Sequence, residues 1–117
     1  MEEIINYGRK KIRLRVKREG FFSRFIGLMF SNRESDNLLF EFNKSVRIPL
    51  HSFFVFFSFL VIWLDSSNRV LDFKIVKPFY FSVLPCGGVR FNKVIEIPIN
   101  DKNAEVIGKL GMSTLSP

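Results

Sequence analysis

The sequence contains one cysteine, Cys86, and one histidine, His51, among its 117 residues. A single cysteine excludes an intramolecular disulfide framework and a cysteine-rich metal site. One histidine and one distant cysteine also supply too few of the converging ligands that a bound metal needs. We therefore expect no metal and no cofactor, and the lack of a disulfide framework favours a reducing, cytoplasmic setting.

Strong helix formers are scarce as well. The chain has no glutamine and one alanine, Ala104, whereas phenylalanine occupies 15 positions. Aromatic and β-branched side chains suit strands. The composition predicts a mainly β protein (α+β by content) with one or two short helices, built as a compact β-sandwich, a jelly-roll-like or a barrel-like domain. The length fits a single domain over 1–117, with its core at about 10–110 and a flexible tail at 111–117.

Acidic residues are absent from positions 9–18, which carry 7 of the 18 basic residues. The rest of the chain has equal numbers of acids and bases, so the net charge of +7 arises in this segment. No apolar h-region precedes it, so no secretory signal is expected.

Residues 11–17 alternate strictly between basic and apolar side chains, which predicts a strand with a basic outer face. The basic side chains are Lys11, Arg13, Arg15 and Lys17. This face is either a solvated edge or a surface for an anionic partner, nucleic acid or lipid head groups. Aromatic residues are not interleaved with the bases, so a base-stacking platform is not indicated.

Charged residues are also absent from 48–64, a run of 17 residues at the lower limit for crossing a bilayer. A proline and several polar side chains interrupt the run, and Phe and Val dominate it. The pattern favours two adjacent buried strands, 53–57 and 59–64, joined at Ser58. A membrane-associated protein is the alternative.

Local patterns predict the other elements of the chain. In chain order these are an amphipathic helix at 21–29, a loop at 31–37, a strand at 38–42, a turn at 43–47, a turn at 65–68 that closes a hairpin onto 69–76, a strand at 94–97 that lies at a sheet edge or ends at Pro98, and a short helix at 103–109.

The order of several motifs resembles a known family. The chain contains Arg24-Phe25-Ile26-Gly27-Leu28-Met29, an apolar strand at 38–42, an aromatic stretch at 51–57, a strand ending in Asp65, and Val94-Ile95-Glu96-Ile97-Pro98. Over about residues 10–110 this order is similar to the uncharacterised family called domain of unknown function 192. The resemblance implies a compact β-sandwich or jelly-roll-like fold and brings no activity with it.

The chain departs from that family in its aromatic stretch. Family members often carry a Trp-Met-Lys-Asn-Thr type motif followed by Pro-Leu-Asp. This chain has Phe53-Phe54-Val55-Phe56-Phe57 and then Ser58-Phe59-Leu60. The Lys and the carboxylate of the family pattern are therefore missing, together with any chemistry that they perform in relatives.

An assembled catalytic set is not evident in the sequence. A Ser-His-Asp arrangement would combine His51 and Asp65 with a nearby serine, but the Gly-x-Ser-x-Gly elbow is missing. We expect a non-enzymatic ligand-binding or interaction domain. The alternatives are a nucleic-acid-binding module that uses the basic strand, a small enzyme with a site near His51 and Asp65, and a membrane-associated protein.

The candidate ligand-binding residues are Arg24, His51 and Asp65. The guanidinium of Arg24 either anchors a carboxylate or phosphate of a ligand or pairs with an internal acid such as Asp65 or Glu41. A Phe-rich face left uncovered would indicate a partner or a homodimer.

Overall fold

A computed structural model describes residues 1–19, 28, 31–52, 54–80 and 82–111. The helix predicted over 21–29, including Arg24, lies outside the described residues except for Leu28. The described elements are β1 (Glu2–Tyr7), β2 (Lys10–Arg15), β3 (Lys17–Arg18), β4 (Leu38–Val46), β5 (Phe59–Leu64), β6 (Val70–Val76), β7 (Phe91–Pro98) and α1 (Ala104–Lys109), with short 3₁₀ turns at Cys86–Gly88 and Asp101–Asn103.

Five of these strands form one sheet in the order β3-β4-β7-β5-β6. Strands β4, β7, β5 and β6 pair antiparallel with one another in this order, and the short β3 runs parallel to β4. Strands β1 and β2 form a separate antiparallel hairpin. The prediction of a mainly β protein is confirmed. Among the described strands the larger sheet is open, with β3 and β6 at its edges.

Strand β5 lies inside the larger sheet, and all six of its side chains are buried. It pairs with β6 on one side and with β7 on the other. Its side chains point alternately to the two faces of the sheet, so both faces must be covered. A continuous apolar sequence is typical of a strand buried in this way.

A separate apolar core covers each face of the sheet. On one face the β1–β2 hairpin and α1 pack against β5 and β7, and we call this the hairpin core. On the other face Leu28 and residues of the connections that flank β5 and β6 pack against a set rich in aromatic rings, which we call the aromatic core. The outer side of the cover formed by the hairpin and α1 carries a groove.

The basic segment predicted as one strand over 11–17 is divided between two sheets. In β2 the predicted alternation is confirmed, with apolar side chains buried and basic ones exposed. At Val16 the chain leaves the hairpin, and Lys17 pairs with Leu38 in the larger sheet. Because Val16 packs into the hairpin core, the alternation of burial continues across the break. The sequence pattern therefore does not reveal the change of sheet.

Two predicted elements are wrong. Residues 43–46, part of the turn predicted at 43–47, continue β4, and Val46 pairs with Phe91 after a register shift that follows Glu41. The strand predicted at 53–57 is absent from its described part, residues 54–57, which form a turn and a bend. Phe54 has a φ of 57°, outside the β region, so the chain cannot run straight through it.

The other described predictions are confirmed. Residues 31–37 form no helix or strand, the turn after β5 closes a hairpin with β6, and a short helix follows Asn103. The strand predicted at 94–97 is part of β7, a central strand that ends at Pro98. Among the described residues there is no helix long and apolar enough to span a membrane.

Burial on both faces of β5 makes its side chains the main determinants of stability. Replacing Ile62, which is fully buried, with Ala should lower the free energy of unfolding by about 2–5 kcal/mol. Ile75→Ala on the edge strand β6 is the matched control, since its side chain is 38% exposed, and it should cost less than about 1.5 kcal/mol. Chemical denaturation of both variants measures the difference, and equal losses would contradict this account of β5.

Candidate anion-binding groove

A groove of about 820 Å³ lies between the hairpin, β3, the loop at 35–37 and the segment 102–109. We call it the basic groove, because six bases and three acids line it. The bases are Arg13, Arg15, Lys17, Arg18, Lys102 and Lys109, and the acids are Glu2, Asp36 and Glu105. The excess of positive charge makes the groove suitable for an anion.

Strand periodicity positions the bases on the hairpin side of the groove. Arg13 and Arg15 are exposed on the outer face of β2, while Leu14 between them is buried. Lys17 continues the alternation after the chain has passed into β3. Alternate strand residues are about 6.6 Å apart, so these charges form a row at regular intervals.

Two asparagines hold the opposite wall in place. The Asn37 side chain donates hydrogen bonds to the Arg15 carbonyl oxygen at 2.9 Å and to the Asn103 side-chain oxygen at 3.0 Å. Asn103 is buried and donates to the Pro98 carbonyl oxygen at 2.7 Å. This network joins the loop, β2 and the start of α1, so the wall of the groove is fixed relative to its bases.

Ion pairs neutralise part of the basic charge around the groove. Arg13 lies 3.8 Å from Glu2, and Lys109 lies 3.0 Å from Glu105. Lys17 lies at the same distance, 3.8 Å, from Glu19. Within the described part of the chain, Arg15 forms no ion pair. Arg15 is therefore the charge best placed to receive an anion, and Lys17 follows it in the same row of exposed bases.

Of the four basic residues predicted as an anion site, three line the groove. They are Arg13, Arg15 and Lys17. Lys11 is exposed on the same face of β2 but is not part of the lining. The sequence did not reveal that Lys102 and Lys109 lie across the groove, because they are about 90 residues away in the chain.

The other predicted site residues are not brought together. Asp65 lies in the turn after β5, whereas Ser52, next to His51, bonds to residues that follow β6. The last residue of β6 pairs with the first residue of β5. His51 and Asp65 are therefore at opposite ends of β5, roughly 20 Å apart at the rise of a strand. His51 is half-buried, and Arg24 lies outside the described residues.

Asp65 stabilises its own turn. Its carboxylate accepts hydrogen bonds from the Ser67 and Arg69 backbone amides, at 2.8 and 2.9 Å, and pairs with the Arg69 guanidinium at 2.8 Å. Partial burial by itself raises the pKa of Asp65, but these hydrogen bonds and the charge of Arg69 outweigh it and hold the pKa below its usual value. These contacts are those of a turn-forming residue.

The sequence analysis missed a buried carboxyl group, Glu96 in the middle of β7. Its side chain is 5% exposed and, among the described residues, has no hydrogen-bond or ion-pair partner. Burial raises the pKa of Glu96 to about 8. The available signal was an acid within the apolar stretch Val94–Pro98, which indicates burial only once β7 is known to be central.

Two further polar groups share this face of the sheet. Val61 of β5 pairs with Glu96 on one side and with Lys74 of β6 on the other, so all three side chains point to the aromatic core. The Lys74 ammonium lies 5.9 Å from the centre of the Trp63 ring. The indole N–H of Trp63 is buried and has no hydrogen-bond partner in the described structure. The aromatic core thus contains polar groups whose desolvation lowers stability.

In the part of the chain that the structure describes, no group of three or more His, Cys, Asp or Glu side chains lies close enough together to hold a metal ion. Cys86 is exposed, and its backbone amide donates to the Asp72 carboxylate at 2.8 Å.

The chain is similar to uncharacterised archaeal proteins. It is 40% identical over 91 residues to a UPF0127 protein of Thermococcus sibiricus, in an alignment covering 74% of this chain and 57% of the relative. A UPF0127 protein of Thermococcus kodakarensis is 42% identical over 59 residues, which are 49% of this chain and 38% of the relative. The chain thus spans between 38% and 57% of the length of these curated relatives. No family model matches the chain.

Two solved structures share the fold. A Sinorhizobium meliloti protein, provisionally described as a transcription regulator, superposes with a TM-score of 0.71. The superposition covers 94% of this chain and 84% of that protein. A Novosphingobium aromaticivorans protein of unknown function gives a TM-score of 0.65 and covers 94% and 76%. Both are 16% identical to this chain, so the likeness concerns the fold alone.

The buried carboxyl predicts a pH dependence of stability. Between pH 4.5, the ordinary pKa of the group, and about 8, the folded state keeps a proton that the unfolded chain has released. Stability should therefore fall as the pH rises through this window, by at most about 1.4 kcal/mol per pH unit. Glu96→Gln should remove this decline.

Urea unfolding at several pH values between 5 and 8 measures the effect. Glu34→Gln, on an exposed side chain, is the matched control and should leave the pH profile unchanged. A Glu96→Gln profile parallel to that of the unmodified chain would contradict the assignment of this carboxyl.

Proposed function

We propose that this chain is a non-enzymatic binding domain, and that its ligand is the phosphate backbone of a nucleic acid held in the basic groove. The observation that carries the proposal is the convergence of bases from β2, β3 and the segment 102–109 around one groove. Each phosphate that a Lys or Arg neutralises releases condensed counterions, so a polyanion gains more from such a groove than a single anion does.

The proposal also concerns the family. The identity with UPF0127 proteins supports membership of that uncharacterised group. The run from Arg24 to Met29 supports the resemblance to domain of unknown function 192. Because the chain spans only part of its relatives, the proposed binding concerns this domain. We place it in the cytoplasm, where an exposed thiol such as Cys86 stays reduced.

The lining of the groove suits contacts to the phosphate backbone of a nucleic acid and not to its nucleobases. Among the described residues that line it there is no aromatic side chain on which a base could stack. Alternate residues of an extended chain are about 6.6 Å apart, so the row of basic side chains extends along the direction in which successive phosphates of one strand follow each other. Arg15 and Lys17 could therefore each contact a different phosphate of one strand.

The alternative of a solvated charged edge fits the groove less well. A solvated edge needs no opposing wall, but here the Asn37–Asn103 network fixes one. The alternative of a small enzyme near His51 and Asp65 is disfavoured by their positions at opposite ends of β5. Ligand binding at Arg24, at His51 or at Asp65 stays a prediction, separate from the groove, but His51 and Asp65 would belong to different sites.

Reversing the two central charges should weaken nucleic-acid binding. We expect Arg15→Glu/Lys17→Glu to lower the affinity for a labelled single-stranded oligonucleotide at least tenfold, whatever its sequence. The slope of log K against log salt should fall by about 1.4, because two phosphate contacts of about 0.7 each are lost. Fluorescence anisotropy titrations at several salt concentrations measure both quantities.

The matched control reverses two exposed arginines outside the groove, Arg9→Glu/Arg33→Glu, and changes the net charge equally. It should keep most of the affinity. Equal losses of affinity in the two variants would show that net charge alone explains the effect. They would overturn the proposal that the groove is the binding site. Binding of inorganic phosphate by calorimetry, without binding of the oligonucleotide, would replace the proposed ligand by a small anion.

A further inference from the structure

The basic groove also contains acids, which the binding of phosphate alone does not explain. Glu2 and Glu105 lie beside bases, Arg13 at 3.8 Å and Lys109 at 3.0 Å. Asp36 is exposed and lines the groove, but within the described residues its carboxylate forms no ion pair and no hydrogen bond. An unpaired acid among bases weakens the binding of a phosphate by repulsion. Asp36 therefore suits a ligand that carries a hydrogen-bond donor as well as an anion.

A second acceptor lies next to Asp36, on the side chain of Asn37. The amide nitrogen of Asn37 donates to the Arg15 carbonyl oxygen at 2.9 Å and to the Asn103 side-chain oxygen at 3.0 Å. These two bonds use both of its N–H groups. The Oδ1 atom accepts no hydrogen bond from the described residues. It is the remaining polar atom of a half-buried side chain that lines the groove.

The orientation of this amide is determined by its neighbours. The Asn103 side chain is buried and donates through its own nitrogen to the Pro98 carbonyl oxygen at 2.7 Å, so its oxygen is the atom that faces Asn37. Exchanging the nitrogen and the oxygen of Asn37 would place two acceptors against each other at both of its contacts. The free Oδ1 atom is therefore a defined feature of the groove wall.

The two acceptors lie beside the row of bases. The Lys17 amide donates to the Asn37 carbonyl oxygen at 2.7 Å, and the Asn37 side chain donates to the backbone of Arg15. The end of the loop therefore runs alongside the start of β3, at the spacing of about 4.8 Å between neighbouring chains in a ladder. Positive charges and hydrogen-bond acceptors thus lie on adjacent segments of the chain, where one nucleotide can reach both.

Ribose offers a donor beside each phosphate, whereas deoxyribose does not. In RNA the 2′-hydroxyl is bonded to the carbon next to the one that carries the 3′-phosphate ester. This hydroxyl is the group by which a protein distinguishes RNA from DNA at a given position. In DNA a hydrogen atom takes its place, and an acceptor that faces it and is shielded from water stays without a partner, which costs free energy. The lining of the groove therefore matches RNA better than DNA.

We propose that the basic groove binds single-stranded RNA in preference to DNA, because Asp36 and Asn37 accept hydrogen bonds from ribose 2′-hydroxyl groups. Arg15 and Lys17 contact the phosphates of the same nucleotides. This inference rests on the proposed function and adds to it the class of nucleic acid. The alternative for Asp36 is an exposed loop acid with no part in binding, and it predicts no difference between the two sugars.

Fluorescence anisotropy with three labelled oligonucleotides tests the proposal on the full chain. The strands have the same base sequence, with uracil throughout, and differ only at the 2′ position, which carries a hydroxyl, a hydrogen or a fluorine. Fluorine keeps the sugar conformation of RNA but cannot donate a hydrogen bond. We expect the hydroxyl strand to bind about tenfold more tightly than either of the others, which is the size of two modest hydrogen bonds.

Asp36→Ala separates the acceptor from its charge. Removing a negative charge should raise the affinity for DNA, while the affinity for RNA should rise less or fall. The ratio of the RNA affinity to the DNA affinity should therefore decrease about threefold, because one of two acceptors is lost. Asp101→Ala is the matched control, since Asp101 is exposed, carries the same charge and does not line the groove. It should leave the ratio unchanged, and an equal change in both variants would contradict the role of Asp36.

The outcomes separate this inference from the proposed function. Equal affinities for the hydroxyl and hydrogen strands, both lowered by Arg15→Glu/Lys17→Glu, would overturn the preference for RNA and leave the groove as a phosphate site. Equal affinities for the hydroxyl and fluorine strands, both above that for DNA, would attribute the preference to sugar conformation and overturn the role of the two acceptors. If no strand binds, the proposed function is wrong and this inference fails with it.

Discussion

Strand β5 has β6 on one side and β7 on the other, and its six side chains alternate between two faces that are both buried. The rest of the architecture depends on this arrangement. Neither edge of β5 and neither face is available to water, so the chain must provide two independent covers. One is the β1–β2 hairpin with α1, and the other is the set of connections that flank β5 and β6. The basic groove lies on the outer side of the first of these covers.

The same constraint explains where the fold tolerates unfavourable groups. Glu96 and Trp63 belong to the two central strands, and both side chains are withdrawn from water on the aromatic side. A carboxyl in this position remains protonated near neutral pH because ionisation without a partner costs more than retaining the proton. The fully buried members of the hairpin core on the opposite face are all aliphatic. The buried carboxyl and the unpaired indole N–H are therefore both on the aromatic side of the sheet.

Local periodicity predicted what depends on local sequence. The basic alternation, the Asp65 turn and the final helix were identified because each is determined by neighbouring residues. The break at Val16 and the buried Glu96 were not identifiable, because both depend on which strands become neighbours in the sheet. The predicted strand at 53–57 failed because an apolar aromatic run does not distinguish a buried strand from a loop that is tied down by Ser52. The groove was only partly predictable for the same reason, because one of its basic walls lies in the basic segment 9–18 and the other in the distant segment 102–109.

Charge is segregated more strongly along the chain than the net charge suggests. Outside 9–18 the chain has 11 acids and 11 bases, but six of those bases lie in the segments 42–64 and 73–95, which contain no acid. All 11 acids are therefore in the remaining parts of the chain, and three of them line the basic groove.

The groove combines both signs of charge, and the bases along its hairpin wall are regularly spaced. This arrangement favours a ligand whose anions are regularly spaced and disfavours a uniform negative surface. The groove exists because one face of the sheet requires a cover, and the hairpin and α1, which together form that cover, leave a space between them.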